Sequence, residues 1–488
     1  MKRIGQATLF NVEYAAVMVG FGLYWAWIDC AFFAPVLYNP VDPSSMPLSL
    51  VHLCVIACSL MPPLVVAALR PDAAMQSRTV VLAFAVTGTL CNALLLTCAF
   101  FEGVGAVAFA ILFGGAGMGL GALAWGCRVA SYGAEGASVC IPGTFVASVL
   151  VGLLVQALVA EASAVIVAFL PLASCALFMV PFRRHADRDC VAGRMENPES
   201  IRVHLSKLFG IIPTHFMVIL FLFCAAFGIM QYLLVLLHAE SASIIEQNIA
   251  VRGFIALVVL IGFGVLSWKP DAAYKIGLLL ITAGFLATPF LKSAALSSSI
   301  VMAGYTCFDM MGWIIVSALA VKNEDNAAGV IALSRLFELG GVLCGGVVGV
   351  LATGWVWSDD ANMAIVTTAI AYLLVAAAVL LLYRGTTSVW PLMERPVEGE
   401  LGLKAGEKAM EALANRYGLT PREKDMLGFF AAGRSIPWIA QHEGISEGTV
   451  RSHTRHLYEK ANVHSRQELL DIIEDQIVLD DESQWKHS

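Results

Sequence analysis

A stretch near the C-terminus is unusually rich in side-chain hydrogen-bond donors. Between residues 449 and 460 the chain carries Thr449, Arg451, Ser452, His453, Arg455, His456 and Lys460. Val450, Leu457 and Ala461 have the spacing of a buried stripe, so the donors share the opposite face of one helix. Such a face fits the major groove of DNA, where arginine reads guanine edges and neighbouring donors hold phosphates. On composition alone, a solvated helix face is the alternative.

A second group consists of charged residues inside apolar segments, where each charge costs at least about 2.5 kcal/mol. Its members are Asp29, Asp309, Arg335 and Glu338. Arg335 and Glu338 stand three residues apart and can pair within one helix. Asp29 is expected near the outer membrane interface. Asp309 is expected to line a central cavity, as a counter-charge for a ligand or for Arg335.

Other chemistry has little support in the sequence. The glycine run from Gly114 to Gly121 lies in an apolar segment without a preceding strand or a lysine, so close helix packing explains it better than phosphate binding. The 12 cysteines fall mostly in apolar segments and are typical of small packing residues. Because paired carboxylates, histidine clusters and a nucleophile elbow are all missing from the sequence, we expect no enzyme, no metal and no cofactor.

The composition and the apolar runs indicate that membrane-spanning helices carry most of the chain. The chain is 58% hydrophobic and only 14% charged, with a mean hydropathy of +0.76, which excludes an ordinary soluble enzyme. Its net charge of -7 does not indicate a basic nucleic-acid coat. Apolar runs of about 20 residues predict an all-α protein with twelve membrane spans, near 12–36, 48–69, 79–101, 104–126, 136–159, 162–182, 211–238, 249–268, 274–291, 294–321, 328–356 and 361–383.

Lysine and arginine collect in cytoplasmic loops, so their distribution predicts the orientation. With the N-terminus inside, the outside loops hold Lys292 alone. The inside set is Lys2, Arg3, Arg70, Arg78, Arg128, Arg183, Arg184, Arg188, Arg194, Arg202, Lys207, Lys269, Lys275, Lys322 and Arg384. We therefore predict a multi-pass protein of the cytoplasmic (inner) membrane with both termini in the cytoplasm.

The membrane region, residues 1–383, divides into two sets of six spans. A polar central loop, 183–210, separates them, and residues 70–74 (RPDAA) have a counterpart at 269–273 (KPDAA), in the equivalent loop of the second half. In these features the region resembles the major facilitator superfamily, which implies a bundle of two parallel six-helix repeats. The family's loop motif is reduced here to Asp72 and Asp271 with neighbouring basic residues, and this reduction weighs against transport.

After Tyr383 the sequence becomes charged, with a linker at 384–418 and an acidic tail at 476–488. Between them, Thr420 to Glu423 form a capping box, and Ser465 to Glu468 form a second. Gly433 ends the first predicted helix, Ser435 begins a short one, and Ser446 caps a longer helix that reaches Ala461. Four short helices with a tight turn between the second and third predict a helix-turn-helix domain at 419–475.

This domain resembles the DNA-binding domain of the LuxR family of bacterial transcription regulators. The matching segments are 419–423 (LTPRE), 439–440 (IA), 445–453 (ISEGTVRSH) and 463–469 (VHSRQEL). The resemblance implies base contacts by Arg451, Ser452 and Arg455, and phosphate contacts by Thr449, His456 and Lys460. It also implies that helix four forms a homodimer contact on promoter DNA.

Two functions are consistent with this organisation. In the first, the bundle senses a small molecule or a membrane signal and controls DNA binding by the C-terminal domain, which makes the protein a membrane-bound one-component transcription regulator. In the second, the protein is a secondary transporter with a regulatory tail. A bundle that serves only as an anchor is less economical, because one or two helices would be enough to tether a domain.

Overall fold

A computed structural model describes most of the chain. The described residues are 12–33, 55–69, 77–98, 104–180, 201–236, 241–266, 268, 270–291, 293–323, 326–356, 358–383, 410–431, 436, 439–440, 445–461, 463, 468–469 and 472. They divide into two compact units, Met1–Met393 and Glu394–Ser488.

The described residues form helices and contain no strand. The helices are α1 (Val12–Ile28), α2 (Met61–Leu69), α3 (Ser77–Cys98), α4 (Val104–Ala130), α5 (Gly133–Gln156), α6 (Ala160–Met179), α7 (Ile201–Ile211), α8 (Thr214–Met230), α9 (Ser241–Gly264), α10 (Pro270–Leu291), α11 (Ala294–Lys322), α12 (Ala327–Val356), α13 (Asp360–Tyr383), α14 (Pro421–Ala431) and α15 (Glu447–Ala461). Short π-helices adjoin three of them, Asp29–Phe33 after α1, Val55–Leu60 before α2 and Gln231–Leu236 after α8.

Each of the twelve predicted spans contains a helix, and the largest departures from the expected boundaries are at α9 and α7. Helix α9 begins at Ser241, about two turns before the predicted start at 249. Helix α7 occupies the end of the predicted central loop, and Pro213 separates it from α8. By length and composition, nine helices among the described residues are able to cross a membrane.

The two sets of six helices have the same packing pattern, which confirms the six-plus-six architecture. In the first half, α1 packs on α5 and α3 packs on α4 and α6. In the second half, α8 packs on α12 and α10 packs on α11 and α13. The halves meet mainly where α5 contacts α9 and α11, and where α2 contacts α12.

Glycines allow several of these helices to approach backbone to backbone. A Cβ on Gly341 would meet the carbonyl of Phe221, and a Cβ on Gly345 would meet that of Ala225. In α4, a Cβ on Gly115 would meet Ser59, and one on Gly119 the carbonyl of Leu60. The glycine run of α4 is therefore a packing surface, as the sequence predicted.

Several buried polar groups inside the first half pair with each other across helices. The indole of Trp27 donates to Asn92 Oδ1 at 2.9 Å, and that of Trp125 donates to Ser174 Oγ at 3.0 Å. Ser174 Oγ in turn donates to the carbonyl of Gly20 at 2.7 Å. These bonds join α1, α3, α4 and α6 and leave none of these polar groups without a partner in the apolar interior.

The C-terminal unit has a core of its own beneath α14 and α15. Val450, Leu457 and Ala461, the predicted stripe of α15, are buried with Met426 and Phe430 of α14. Ser446 Oγ accepts from the amide of Thr449 at 3.1 Å, which confirms Ser446 as the cap. The predicted boundaries at Gly433, Ser435 and Ser465 lie outside the described residues.

The close approach of α8 and α12 gives a stability test. Gly345→Leu would force a side chain against the Ala225 backbone, and overpacking of this kind costs about 1 to 3 kcal/mol or more. Gly354→Leu, in the same helix, is the matched control because nothing lies within 4 Å of a Cβ there. We expect a lower melting temperature for Gly345→Leu alone in detergent. Equal melting temperatures for the two variants would contradict the packing.

Candidate functional site

The polar face of α15 is open to solvent. Its exposed members include every residue to which the family resemblance gives a DNA contact, Thr449, Arg451, Ser452, Arg455, His456 and Lys460. The opposite face carries Val450 and Leu457, both fully buried. Burial on one side therefore fixes the direction in which the donors point.

The two arginines of this face form only weak contacts. Arg451 Nη2 lies 3.4 Å from Glu447 Oε2, and Arg455 Nε lies 3.7 Å from Glu459 Oε1. Both pairs are largely exposed, and exposed pairs of this type contribute about 0 to 1 kcal/mol. Both guanidinium groups can therefore turn to another acceptor at little cost.

Lys460 has a different environment from the other donors. Its Nζ lies 2.7 Å from Glu423 Oε2 and donates to the carbonyl of Gly418 at 3.1 Å. Glu423 Oε2 also accepts from the amide of Thr420 at 2.7 Å, and Thr420 Oγ1 accepts from the amide of Glu423 at 3.4 Å. These two bonds confirm the first capping box, and Lys460 joins the end of α15 to the start of α14. Its predicted phosphate contact stays a prediction.

Glu423 is a buried acid whose hydrogen bonds favour ionisation. Burial of the carboxyl acts to raise its pKa, but the hydrogen bonds from Lys460 and Thr420 outweigh burial and hold the pKa below its usual value. The carboxylate is therefore charged at neutral pH and tied to both helices.

In the membrane unit, a cavity of about 200 Å³ lies between the two halves. Its walls come from α1, α2 and α4 of the first half and from α8, α9, α11 and α12 of the second, with the π-helices after α1, before α2 and after α8. All four predicted intramembrane charges, Asp29, Asp309, Arg335 and Glu338, line this cavity, together with Arg252.

The first charged cluster of the cavity lies on α11 and α12. Arg335 is ion-paired with Glu338 on the same helix, as the spacing predicted, and its Nη1 lies 3.5 Å from Asp309 Oδ1. The Arg335 guanidinium also covers the Trp313 ring, 3.9 Å from the centroid. Arg335 is thus shared by two carboxylates, and Asp309 lies in the cavity opposite Arg335.

The second cluster joins the two halves. Arg252 of α9 is ion-paired with Asp29, which directly follows α1, and Asp29 also accepts from Ser148 Oγ of α5 at 3.2 Å. The Arg252 guanidinium lies 5.5 Å from the centroid of the Phe145 ring on α5. Asp29 is buried in the cavity wall, and its position near the outer interface stays a prediction.

Arg252 was missed because the predicted span began at 249, which put this arginine at a membrane edge. The actual start of α9 at Ser241 places it three turns inside the helix. An arginine within a long apolar helix was the signal that could have identified it.

Several polar atoms of the cavity lack hydrogen-bond partners among the described residues. They are Trp25 Nε1, Gln231 Oε1, Asn248 Nδ2, Arg252 Nε, Asp309 Oδ1, Trp313 Nε1, Arg335 Nε and Arg335 Nη2. The indoles of Trp27 and Trp125, which have hydrogen-bond partners, are buried away from the cavity. The indoles of Trp25 and Trp313, which have none among the described residues, line it. Buried polar groups need partners, so this arrangement suits a site that takes up water or a polar ligand.

Comparison with known proteins supports both units. Residues 418–473 match the family described as bacterial regulatory proteins, luxR family. No curated protein matches the chain.

The bundle resembles solved transporters of the major facilitator superfamily. One is FucP in the outward conformation, with 10% identity and a TM-score of 0.56 over 77% of this chain and 99% of that one. Another structure, of the E. coli fucose:proton symporter FucP, has 12% identity and a TM-score of 0.56 over 77% and 98%. The human organic anion transporter TETRAN has 15% identity and a TM-score of 0.50 over 76% and 100%. At these identities the likeness shows the fold alone.

The apolar helices and the fold define a multi-pass membrane protein with a major-facilitator-like bundle. Its C-terminal part is a helix-turn-helix DNA-binding domain of the bacterial luxR family, covering 418–473. The chain is thus a fusion of these two units, as the sequence predicted.

The Glu423 pairing gives a test of the contact between α14 and α15. In the full-length protein, Glu423→Gln should destabilise the start of α14 by about 1 kcal/mol, because the amide can still accept from Thr420 but loses the charge-assisted bond from Lys460. Hydrogen-deuterium exchange of residues 421–431 measures this change as lost protection. The similarly substituted Glu411→Gln, whose exposed side chain pairs with Lys424 at 3.4 Å, is the control.

The pH dependence follows from the lowered pKa. A carboxyl with a depressed folded-state pKa stabilises the fold above its unfolded value of about 4.3, and this contribution is lost as the pH falls through the folded-state value. The difference between wild type and Glu423→Gln should therefore be full at neutral pH and disappear in acid. A difference that stays constant down to pH values well below about 4.3 would contradict this assignment.

Proposed function

We propose that this protein is a membrane-bound one-component transcription regulator. In this account the bundle senses a small molecule or a membrane signal and controls sequence-specific DNA binding by residues 419–475. The observation that carries the proposal is the exposed donor face of α15, within a luxR-family domain on the same chain as a bundle with a charged central cavity.

The DNA contacts follow from the direction of the α15 face. Arg451, Ser452 and Arg455 read base edges in the major groove, and Thr449, His456 and Lys460 hold phosphates. Support comes from their exposure and from the weak pairs of the two arginines, which DNA can replace. On promoter DNA, two copies of the domain pair through helix four.

The domain arrangement keeps the DNA-binding part close to the membrane. We place the bundle at 1–383, with a cytoplasmic loop at 183–210, the linker at 384–418, the DNA-binding domain at 419–475 and the acidic tail at 476–488. Both termini face the cytoplasm, as the lysine and arginine distribution indicates. Residues 410–416 of the linker segment are helical and Leu413 is buried in the core of the C-terminal unit, so the tether between the two units is 384–409. A tether of this length lets the domain reach DNA only next to the inner membrane.

Signalling would use the two halves of the bundle. A ligand that binds one arrangement of the halves more tightly increases the population of that arrangement. The Arg252–Asp29 pair supports this mechanism, because it joins α9 of one half to α1 and, through Ser148, to α5 of the other. Rearrangement of the halves would change dimerisation or exposure of the DNA-binding domain through the linker.

The test is genome-wide DNA occupancy by the full-length protein and by an Arg451→Ala, Arg455→Ala variant. Each lost base contact should cost about 1 to 3 kcal/mol, so discrete peaks should vanish. A variant with Arg416→Ala, an exposed arginine outside α15, controls for the loss of positive charge. Peaks that persist in the double variant, or no peaks for the wild type in any growth condition, would contradict the proposal.

A transporter with a regulatory tail is the second candidate, supported by the cavity between two major-facilitator-like halves. It predicts accumulation of a substrate in vesicles that depends on Asp309 and Arg335. Vesicles that bind a ligand without moving it would exclude this candidate and leave the regulator.

A further inference from the structure

Among the described residues that line the cavity, acidic side chains outnumber basic ones by one. The acidic and basic side chains of this lining are Asp29, Arg252, Asp309, Arg335 and Glu338. Arg252 is paired with Asp29, and Arg335 is paired with Glu338. When all five are ionised, the remaining charge is a carboxylate on α11 that shares Arg335 with Glu338.

That carboxylate is Asp309, whose residue is only 8% exposed. Its Oδ1 lies 3.5 Å from Arg335 Nη1 and accepts no hydrogen bond from the described residues. A buried carboxylate left with a distant, shared partner is costly in the membrane, and a cation next to it would remove that cost.

The remainder of the lining determines what kind of cation fits. Most residues around the charges are apolar or aromatic, and the rings of Phe227 and Tyr305 stack 3.7 Å apart in the same lining as Asp309. Walls of this type receive an apolar body and attract a cation through ring faces. They replace the water shell of a small inorganic ion poorly. Both arginines are already paired with carboxylates, so neither offers a free positive charge to an anion. The remaining carboxylate would repel an anion.

We propose that the cavity binds a small organic amine with a single positive charge and an apolar or aromatic body, its ammonium group against Asp309. This proposal names the chemical class of the ligand. It rests on the proposed function only in treating the binding of that ligand as the signal. The cavity volume of about 200 Å³ restricts the ligand to a small molecule.

Three probes of the same shape test the charge directly. Phenethylammonium, 2-phenylethanol and phenylacetate carry a positive, zero and negative charge on the same ring and chain. Binding to the full-length protein in lipid nanodiscs is measured by calorimetry and by tryptophan fluorescence, since Trp25 and Trp313 line the cavity. We expect phenethylammonium to bind at least about tenfold more tightly than either other probe.

The variants assign the preference to Asp309. Asp309→Asn should weaken phenethylammonium binding about tenfold and leave 2-phenylethanol binding within about twofold. It leaves Arg335 paired with Glu338, so the bundle should still fold. Asp309→Glu, which keeps the charge, should retain the preference. Asp359→Asn, the same substitution at an exposed position, should change nothing.

Four results would overturn the proposal. They are equal binding of the amine and the alcohol, tighter binding of phenylacetate, an amine preference that survives Asp309→Asn, and no amine binding up to about 10 mM. Because this assay contains no DNA, such a failure concerns only the ligand class. Failure of the regulator itself would be seen as missing occupancy peaks.

Discussion

The cost of placing charge inside a membrane governs the arrangement of the bundle. Arg252 and Arg335 are tolerable at depth only because Asp29, Glu338 and Asp309 face them. Removing one member of such a pair leaves an uncompensated buried charge, which costs about 3 to 5 kcal/mol. The pairs therefore restrict how α1 and α9 can move past each other, and they locate the polar site in the otherwise apolar interior.

The same clusters connect the cavity to the interface between the halves. Arg335 covers Trp313, and the Trp313 ring meets Phe21 of α1 edge to face, with centroids 5.5 Å apart. Phe21 stacks in turn on Trp125 of α4. The carboxylates of α11 and α12 are thus connected to α1 of the other half through Arg335, Trp313 and Phe21. Packed rings of this kind favour discrete arrangements over gradual deformation.

Local patterns in the sequence predicted local structure well. The capping box at Thr420 and Glu423, the cap at Ser446 and the Arg335–Glu338 pair depend on residues three positions apart, and all three are present. Asp309 was expected in a cavity opposite Arg335 because an aspartate in the middle of an apolar span needs a counter-charge or water. The family resemblance of residues 419–475 likewise depended on a contiguous segment.

Long-range pairing could not be predicted in the same way. Asp29 and Arg252 lie in different halves, and nothing in their local sequence links them. Which helices become neighbours is decided by packing across the whole bundle, including the glycine contacts of α8 with α12. The Lys460–Glu423 bond is a similar case, since the family pattern suggested phosphate contact for Lys460 and the fold adds a bond to the capping box.

If the arrangement of the bundle controls DNA binding, breaking the Arg252–Asp29 pair between the halves should change promoter occupancy. Promoter occupancy is measured in cells for wild type, Arg252→Ala and Arg202→Ala, an exposed arginine on α7, at equal abundance in the membrane. We expect Arg252→Ala alone to change occupancy by about threefold or more, since losing the pair shifts the population of the two arrangements. Exchanging the charges, with Asp29→Arg and Arg252→Asp together, should restore occupancy towards wild type. Identical occupancy for Arg252→Ala and Arg202→Ala would contradict the claim.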